Sequence, residues 1–330
     1  MSDTTALTLA GTPEVLLSHM SLLGTALIIE ERLGAGSVTC HWQDGADPLP
    51  ILTVNGATRE DIGLIIRDHA ADHVGTAATW IRAAQPVVGS LFSARTKMPS
   101  TPEQWERLLA ERGPINSGLR GLDSRMVLGI GERAWWLDRP PSLRPDHGAS
   151  AWEMKTRNKG MEFVKDGLEP IARAVAAREP LAVLSGLTGE TFADEVAKGR
   201  PDSRTGMGLS PLGPMDSARA WTGLWGIAAL PVWPQVTRRS VNSAALPGKK
   251  DELGRLCMAV PMAAVTPSRW VRMLRSSAIV TSSGDQDAAS AADSQLKAWG
   301  AGTLLTFPVS VTGSTSAPER RALTGQQVLR

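Results

Sequence analysis

The chain has 330 residues, of which 42% are hydrophobic and 21% are charged, and its formal net charge is +2. This composition excludes a disordered chain and allows one large globular domain or two ordinary ones. The apolar runs are far too short to cross a membrane, and the N-terminus lacks the pattern of a secretory signal. We therefore expect a cytoplasmic protein with no membrane partner.

Residues 1–145 predict a mixed N-terminal domain of helices and strands. Hydrophobic spacing predicts strands over Ala6–Ala10, Ser37–Trp42 and Pro50–Val54, and a helix over Pro13–Arg32. A capping box at Thr58 predicts a second helix through about Ala83, and Thr101 and Pro102 start a third that ends near Gly113.

The end of this first part predicts a turn and then a linker. Two apolar runs, Arg125–Ile130 and Arg133–Leu137, flank Gly131 and Glu132, which is typical of a β-hairpin. The four prolines within Leu137–Ser150 indicate the linker.

Residues 146–330 predict a helix-rich C-terminal part closed by a β-hairpin. Helices are expected near Trp152–Arg178, Met215–Leu230, Pro267–Ser277 and Ala288–Trp299, with a strand over Leu253–Val265. The closing antiparallel strands are Thr303–Gly313 and Ala322–Leu329. Helices and strands alternate without a regular βαβ rhythm, so the predicted fold class is α+β.

His69 and His73 are four residues apart on the second helix, a spacing that places two metal ligands on one face. The same residues also continue the apolar stripe of that helix, which favours a pair of histidines at the border of the core. No third ligand and no HExxH motif accompanies them. Complete nucleotide-binding and nucleophile-elbow motifs are absent from the sequence, so we expect no enzyme and no cofactor.

Positive charge is concentrated late in the chain. Between Arg238 and Arg275 there are eight basic and two acidic residues, a net charge of +6 in a chain whose total is +2. On the helix predicted there, Arg269, Arg272 and Arg275 recur every three residues along one side, with Trp270 and its apolar neighbours opposite. Such a row suits a surface that tracks phosphates, and the alternative is a solvated helix face.

A second basic cluster, at residues 155–160, combines lysine, arginine, asparagine and glycine, a mixture that suits a groove or a phosphate loop. A charged helix start is the alternative. Arg204 contributes positive charge to the glycine-rich loop before the predicted helix Met215–Leu230. The candidate DNA-binding residues are Lys155, Arg157, Asn158, Lys159, Arg204, Arg238, Arg239, Lys249, Lys250, Arg269, Arg272 and Arg275.

Trp221 and Trp225 lie one helical turn apart and admit two interpretations. Core packing is the more frequent role of such a pair. Stacking on an extruded base is the alternative, and it requires that the indoles be exposed.

Three sequence blocks carry a resemblance to a known family. They are LTLAGTPEVLLSHMSLLGTALIIEERLGAGSVTCHW, SRTGMGLSPLGPMDSARAWTGLWGIAALPVWP and LLTFPVSVTGSTSAPERRALTG. Together they cover about a quarter of the chain, and the sequence resembles subunits of type I CRISPR Cascade complexes of the I-G group, formerly called I-U. The likeness is to a short form of the large subunit.

The resemblance implies a non-catalytic subunit of an RNA-guided antiviral complex. Its partners would be double-stranded target DNA, the displaced single strand, the guide RNA, the other Cascade subunits and a transiently recruited helicase-nuclease. Base pairing with the guide would read most of the target, while the protein recognises the flanking motif. Two alternatives remain: an architectural subunit that contacts guide RNA and its neighbours, and a metal-dependent hydrolase that uses His69 and His73.

Overall fold

The computed structural model describes residues 4–74, 80–82, 91–92, 101–131, 136–139, 142–145, 163–230, 245–247, 253–283, 286–314 and 317–328. Its α-helices are α1 (Leu16–Leu33), α2 (Arg59–Ala71), α3 (Pro102–Gly118), α4 (Gly121–Gly131), α5 (Glu169–Ala176), α6 (Pro180–Thr188), α7 (Ser217–Trp225), α8 (Pro267–Arg275), α9 (Ser277–Ser282) and α10 (Gln286–Ala298). Short 3₁₀ turns cover Trp80–Arg82 and Gly226–Ala229, and a π-helical segment covers Phe163–Leu168.

The strands form antiparallel sheets only, within the ranges given above. They are β1 (Thr4–Thr8), β2 (Val38–Gln43), β3 (Leu49–Asn55), β4 (Trp136–Arg139), β5 (Ser142–Pro145), β6 (Ala245–Pro247), β7 (Leu253–Pro261), β8 (Ala301–Ser314), β9 (Ala317–Ala322) and β10 (Gln326–Gln327). One sheet has the order β1-β3-β2, a second has the order β10-β8-β7-β6 with β9 also paired to β8, and β4 pairs with β5. Helices mixed with antiparallel strands confirm the predicted α+β class.

Helix α1 lies at the centre of the core and is buried on nearly all sides from Leu16 to Ile29. It packs along α7, and a buried hydrogen bond of 2.8 Å joins Ser21 Oγ to Thr222 Oγ1. The two backbones approach so closely that a Cβ on Gly24 would collide with the Thr222 carbonyl oxygen. A side chain as small as alanine is therefore excluded at this crossing.

The first sheet covers α1 and connects to the C-terminal half. Cys40 on β2 forms an isolated antiparallel bridge with Val265, which lies just before α8. The predicted capping box of α2 is confirmed, because Thr58 and Asp61 exchange hydrogen bonds between side chain and backbone. The helix ends at Ala71, well before the predicted Ala83.

The C-terminal strands form a closing antiparallel hairpin, as predicted, but its second strand lies earlier in the chain than expected. Strand β8 pairs with β9, from Val309 opposite Ala322 to Ser314 opposite Ala317. It also pairs on its earlier half with β10, through Gln326 and Gln327. Strand β9 thus ends at Ala322, where the predicted second strand begins, and β10 is the short strand within the predicted range Ala322–Leu329.

The predicted hairpin at residues 125–137 is wrong, because Arg125–Ile130 belongs to helix α4. Leu122, Met126 and Gly129 are buried at helical spacing, and Gly129 packs against Ile227. A short apolar run fits a strand or a buried helix equally well, and tertiary packing decides in favour of the helix. Part of the predicted linker also forms strands, namely β4 and β5.

Two carboxylates organise the chain between α6 and α7. Asp194 accepts hydrogen bonds from the Ser203 and Thr205 hydroxyls and from the Met215 backbone N–H. Asp216 caps α7 and forms an ion pair with Arg178 at 3.1 Å. Burial disfavours the charged guanidinium, but hydrogen bonds to Glu195 and Asp216 outweigh it and raise the pKa of Arg178. These hydrogen bonds and the ion pair therefore hold the chain between α6 and α7 in place.

The predicted division between residues 145 and 146 stays a prediction. Buried apolar side chains from both parts, from Leu7 to Phe307, form one cluster. Within the ranges that the structure describes, no helix combines the length and apolarity that a membrane crossing requires.

Candidate nucleic-acid interface

Helix α8 begins at the predicted Pro267 and ends at Arg275, two residues before the predicted Ser277. Thr266 Oγ1 accepts a hydrogen bond from the Arg269 backbone N–H at 3.3 Å, and Pro267 occupies the first helical position, where no donor is needed. Ser276 follows the last residue of α8. Its side chain accepts a hydrogen bond from the Ala278 backbone N–H and thereby caps the start of α9. The arginine row is therefore held within a short helix of fixed length.

The apolar side of α8 anchors it to the second sheet. Trp270 is fully buried, and its Nε1 donates a hydrogen bond of 2.7 Å to the Ala259 carbonyl on β7. Met273 and Leu274 are also fully buried. Each such side chain contributes about 1.5–3 kcal/mol of burial free energy, so α8 is firmly seated.

The opposite side of α8 exposes Arg269, Arg272 and Arg275, as the sequence predicts. Arg269 Nη2 donates to the Ala298 carbonyl at the end of α10 at 3.0 Å. Arg275 Nε donates to the Ala229 carbonyl of the 3₁₀ turn at 3.3 Å. Among the described residues no carboxylate forms an ion pair with any of the three. Their positive charge thus faces solvent uncompensated.

Arg125 of α4 joins this surface, and the sequence reasoning missed it. It lies close enough to Arg275 to act on it electrostatically: burial, and then the charge of Arg125, lower the pKa of Arg275. The wrong hairpin prediction placed Arg125 on a strand. A helical reading of residues 121–131, with Arg125 one turn before the small Gly129, is the signal that would have found it.

Arg204 has a different environment from the α8 row. Its Nη1 lies 3.0 Å from Glu319 Oε2 on β9, and the same carboxylate binds Arg321 at 2.6 Å. The loop around Arg204 is largely buried, because its backbone binds β9 through Ala322 N–H and the Gly208 carbonyl at 2.8 Å. This loop thus fastens β9 to the core, and the charge of Arg204 is balanced.

Eight of the twelve predicted DNA-binding residues lie outside the described residues. They are Lys155, Arg157, Asn158, Lys159, Arg238, Arg239, Lys249 and Lys250. Their roles stay predictions.

His69 and His73 lie at the border of the core and are engaged in hydrogen bonds. His73 Nδ1 donates to the His69 carbonyl at 2.6 Å, and Nε2 donates to Asp123 Oδ1 at 2.8 Å. His69 Nδ1 accepts from Trp221 Nε1 at 3.2 Å, while burial, and then the neighbouring His73, lower the pKa of His69. His73 has no free ring nitrogen for a metal, and within the described ranges no three His, Cys, Asp or Glu residues are grouped as metal ligands.

Trp221 and Trp225 are fully buried, which confirms core packing and excludes base stacking in this conformation. Their rings contact each other edge to face at a centroid distance of 5.5 Å. Both also pack against the rings of His69 on α2 and of His73 in the turn that follows it. The aromatic helix is thus a core element, and the exposed candidate surface lies on α8.

Comparison with known families finds no family model that matches this chain. No curated protein matches it either.

Proposed function

We propose that this chain is a non-catalytic nucleic-acid-binding protein that contacts the phosphate backbone through the exposed side of α8. The observation that carries the proposal is the row of Arg269, Arg272 and Arg275 on a firmly anchored helix, without carboxylate partners among the described residues. Guanidinium groups bind phosphate oxygens in a planar, bidentate geometry, which lysine cannot reproduce.

The dimensions of the row suit a nucleic-acid strand. Arg269 and Arg275 are six residues apart, so their Cα atoms are separated by about 9 Å along the helix axis. One strand of DNA advances about 3.4 Å per nucleotide, so the row spans roughly three nucleotides. Arg269 and Arg275 donate to backbone carbonyls, which orients these flexible side chains while leaving their charge unbalanced.

The sequence resemblance supports a more specific context. We propose that the protein is a cytoplasmic subunit of an RNA-guided Cascade-type complex, and that α8 holds target DNA near the flanking motif or along the displaced strand. In such complexes the guide RNA reads sequence by base pairing, and protein contacts to the DNA backbone position the strands. A row of arginines that contacts the phosphate backbone fits that positioning role.

The test compares two triple variants with equal loss of charge. Arg269→Gln, Arg272→Gln and Arg275→Gln are combined in one protein. In the other, Arg59→Gln, Arg107→Gln and Arg173→Gln remove three surface arginines that already pair with carboxylates. Binding of fluorescent duplex and single-stranded DNA is measured by anisotropy across a series of salt concentrations.

We expect the α8 variant to bind at least tenfold more weakly and to lose about one unit of log–log salt slope per phosphate contact. The control variant should keep the slope of the parent. Equal slopes in all three proteins would overturn the assignment of α8. Crosslinking of the assembled complex then separates the roles: contact of α8 with DNA supports the proposal, whereas contact with guide RNA or protein alone favours the architectural alternative.

The Cascade context has its own test. Purification of the protein with its native partners should yield a bound RNA of uniform length, and the gene should lie beside a repeat array and a helicase-nuclease gene. Absence of both would reject the Cascade assignment. The proposal that the arginines of α8 bind phosphates would not be affected.

A further inference from the structure

Helices α4 and α8, which carry Arg125 and Arg275, both lie against the 3₁₀ turn at residues 226–229. Arg275 reaches the turn directly, through its Nε and the Ala229 carbonyl at 3.3 Å. Helix α4 approaches the same turn so closely that a Cβ on Gly129 would lie 3.2 Å from Ile227 Cγ2. Arg125 precedes Gly129 by four residues and therefore lies on the same side of α4, one turn earlier.

These two guanidinium groups have like charge and no counter-ion on the described part of the chain. Neither forms an ion pair with a carboxylate there, and Arg125 is half-buried. Partial burial, and then the charge of Arg125, lower the pKa of Arg275, as a like charge nearby does. A bound anion would relieve this repulsion and supply acceptors for both groups.

We propose that Arg125 and Arg275 form a two-arginine clamp for one phosphate group. The inference rests on the proposed function in taking a nucleic-acid strand as the source of that phosphate. A phosphate has enough oxygens to accept hydrogen bonds from both guanidinium groups, each of which presents a fork of N–H donors. The clamp would fix one phosphate at the α4 end of the α8 row and thereby set the register of the strand.

The first experiment uses inorganic phosphate and thermal unfolding at constant ionic strength, with chloride as the exchanged anion. The parent protein, Arg125→Gln, Arg275→Gln and the matched control Arg107→Gln are compared, because Arg107 is an exposed arginine of α3. We expect phosphate to raise the Tm of the parent and of Arg107→Gln alike, and to raise it by less than half as much in the two clamp variants. An equal increase in all four proteins reflects general salting effects and would overturn the clamp.

The Tm of Arg125→Gln without phosphate tests whether this residue has a structural role. Arg125 makes no hydrogen bond to another described residue, so its replacement should not remove such a bond. Relief of the repulsion should leave its phosphate-free Tm at or above that of the parent. A clear fall in that Tm would mean that Arg125 has a structural role instead, and it would overturn the clamp.

The second experiment separates the clamp from the proposed function. Duplex binding is measured for both single variants and for the double variant. Because both groups hold the same phosphate, we expect each single change to weaken binding about tenfold and the double change to add little. Multiplied effects would show two separate contacts and overturn the clamp. Phosphate could raise the Tm less in the clamp variants than in the parent while none of the proteins binds DNA. That result would support the anion site with a free phosphate group as its ligand, and it would reject the nucleic-acid function.

Discussion

His73 donates a hydrogen bond of 2.8 Å from Nε2 to Oδ1 of Asp123, and this pair joins the turn after helix α2 to helix α4. The same carboxylate oxygen accepts from Trp80 Nε1 at 2.6 Å, so a third segment is tied to it. His73 Nδ1 also faces an acceptor, the His69 carbonyl. Both nitrogens of the His73 ring are therefore held, one by the last turn of α2 and one by α4.

This junction predicts a stability cost at Asp123. In Asp123→Ala, His73 and Trp80 each lose their acceptor in an environment where their rings are almost completely buried. Because the Asp123 side chain is 36% exposed, water replaces part of the lost interaction. We expect the free energy of unfolding in urea to fall by about 1–3 kcal/mol.

The control for this change is Asp72→Asn, on the neighbouring exposed surface. Removal of that charge should alter stability by less than about 0.5 kcal/mol. A double-mutant cycle with His73→Gln completes the test, since a coupling energy near zero between the two positions would contradict the junction.

His19 predicts a dependence of stability on pH. Burial lowers the pKa of His19 to about 4, despite the hydrogen bond from Nε2 to the Pro13 carbonyl. The unfolded chain takes up a proton near pH 6.5, whereas the folded protein does not until about pH 4. Stability from this residue is therefore complete above about pH 6.5 and is lost progressively as the pH falls to about 4. The loss amounts to about 3 kcal/mol.

The free energy of unfolding of His19→Gln and of the parent is measured by urea titration at several pH values from 7.5 to 4. The difference between the two proteins is taken at each pH. Glutamine still donates to the Pro13 carbonyl but does not titrate, so the variant should become relatively more stable as the pH falls. The subtraction removes other groups, including His69, whose pKa is also lowered by burial and by His73. A constant difference across the series would contradict the assignment.

Local signals in the sequence were sufficient for the elements whose ends are set by their own residues. Helix α8 is one case, because its cap, its proline and its alternating arginines and apolar residues all lie within ten positions. The capping box at Thr58 is another. The α+β class follows from such elements, since it needs only their kind and order.

The wrong or incomplete predictions concern segments whose structure depends on contacts with distant parts of the chain. Residues 125–130 are apolar enough for a strand or a helix, and only the close approach of Gly129 to Ile227 favours α4. Arg125 lies one turn before Gly129 and acts electrostatically on Arg275, so the wrong prediction for this segment also left Arg125 out of the candidate site. The loop with Arg204 reads as exposed because of its glycines and prolines, yet two internal carboxylates and β9 bury it.

Gly24 and Gly118 predict opposite effects of the same substitution. In Gly24→Ala the new methyl group would meet the Thr222 carbonyl where α1 crosses α7, and backbone atoms on both sides would have to move. We expect a loss of about 3 kcal/mol in the free energy of unfolding. In Gly118→Ala, at the last residue of α3, nothing lies within 4 Å of the new Cβ, so the lower conformational entropy of alanine in the unfolded chain should add about 0.5 kcal/mol. Equal effects at the two sites would show that α1 and α7 are less closely packed.

Glu319 predicts which arginines are available to a polyanion. It pairs with both Arg204 and Arg321 and is itself largely buried, so it balances part of their charge. Arg204→Gln should therefore leave the affinity for duplex DNA and its salt slope nearly unchanged, in contrast to Arg272→Gln on α8. Anisotropy titrations at several salt concentrations measure both.

Glu319→Gln reverses the comparison, because it keeps the shape of the side chain while releasing two cations. Salt-dependent, sequence-independent affinity rises with each cation that can neutralise a phosphate, so we expect tighter binding and a slope steeper by up to about 2 units. If Arg204→Gln alone weakens binding as much as Arg272→Gln does, the ion pair with Glu319 opens on DNA, and the loop at residues 199–214 belongs to the interface together with α8.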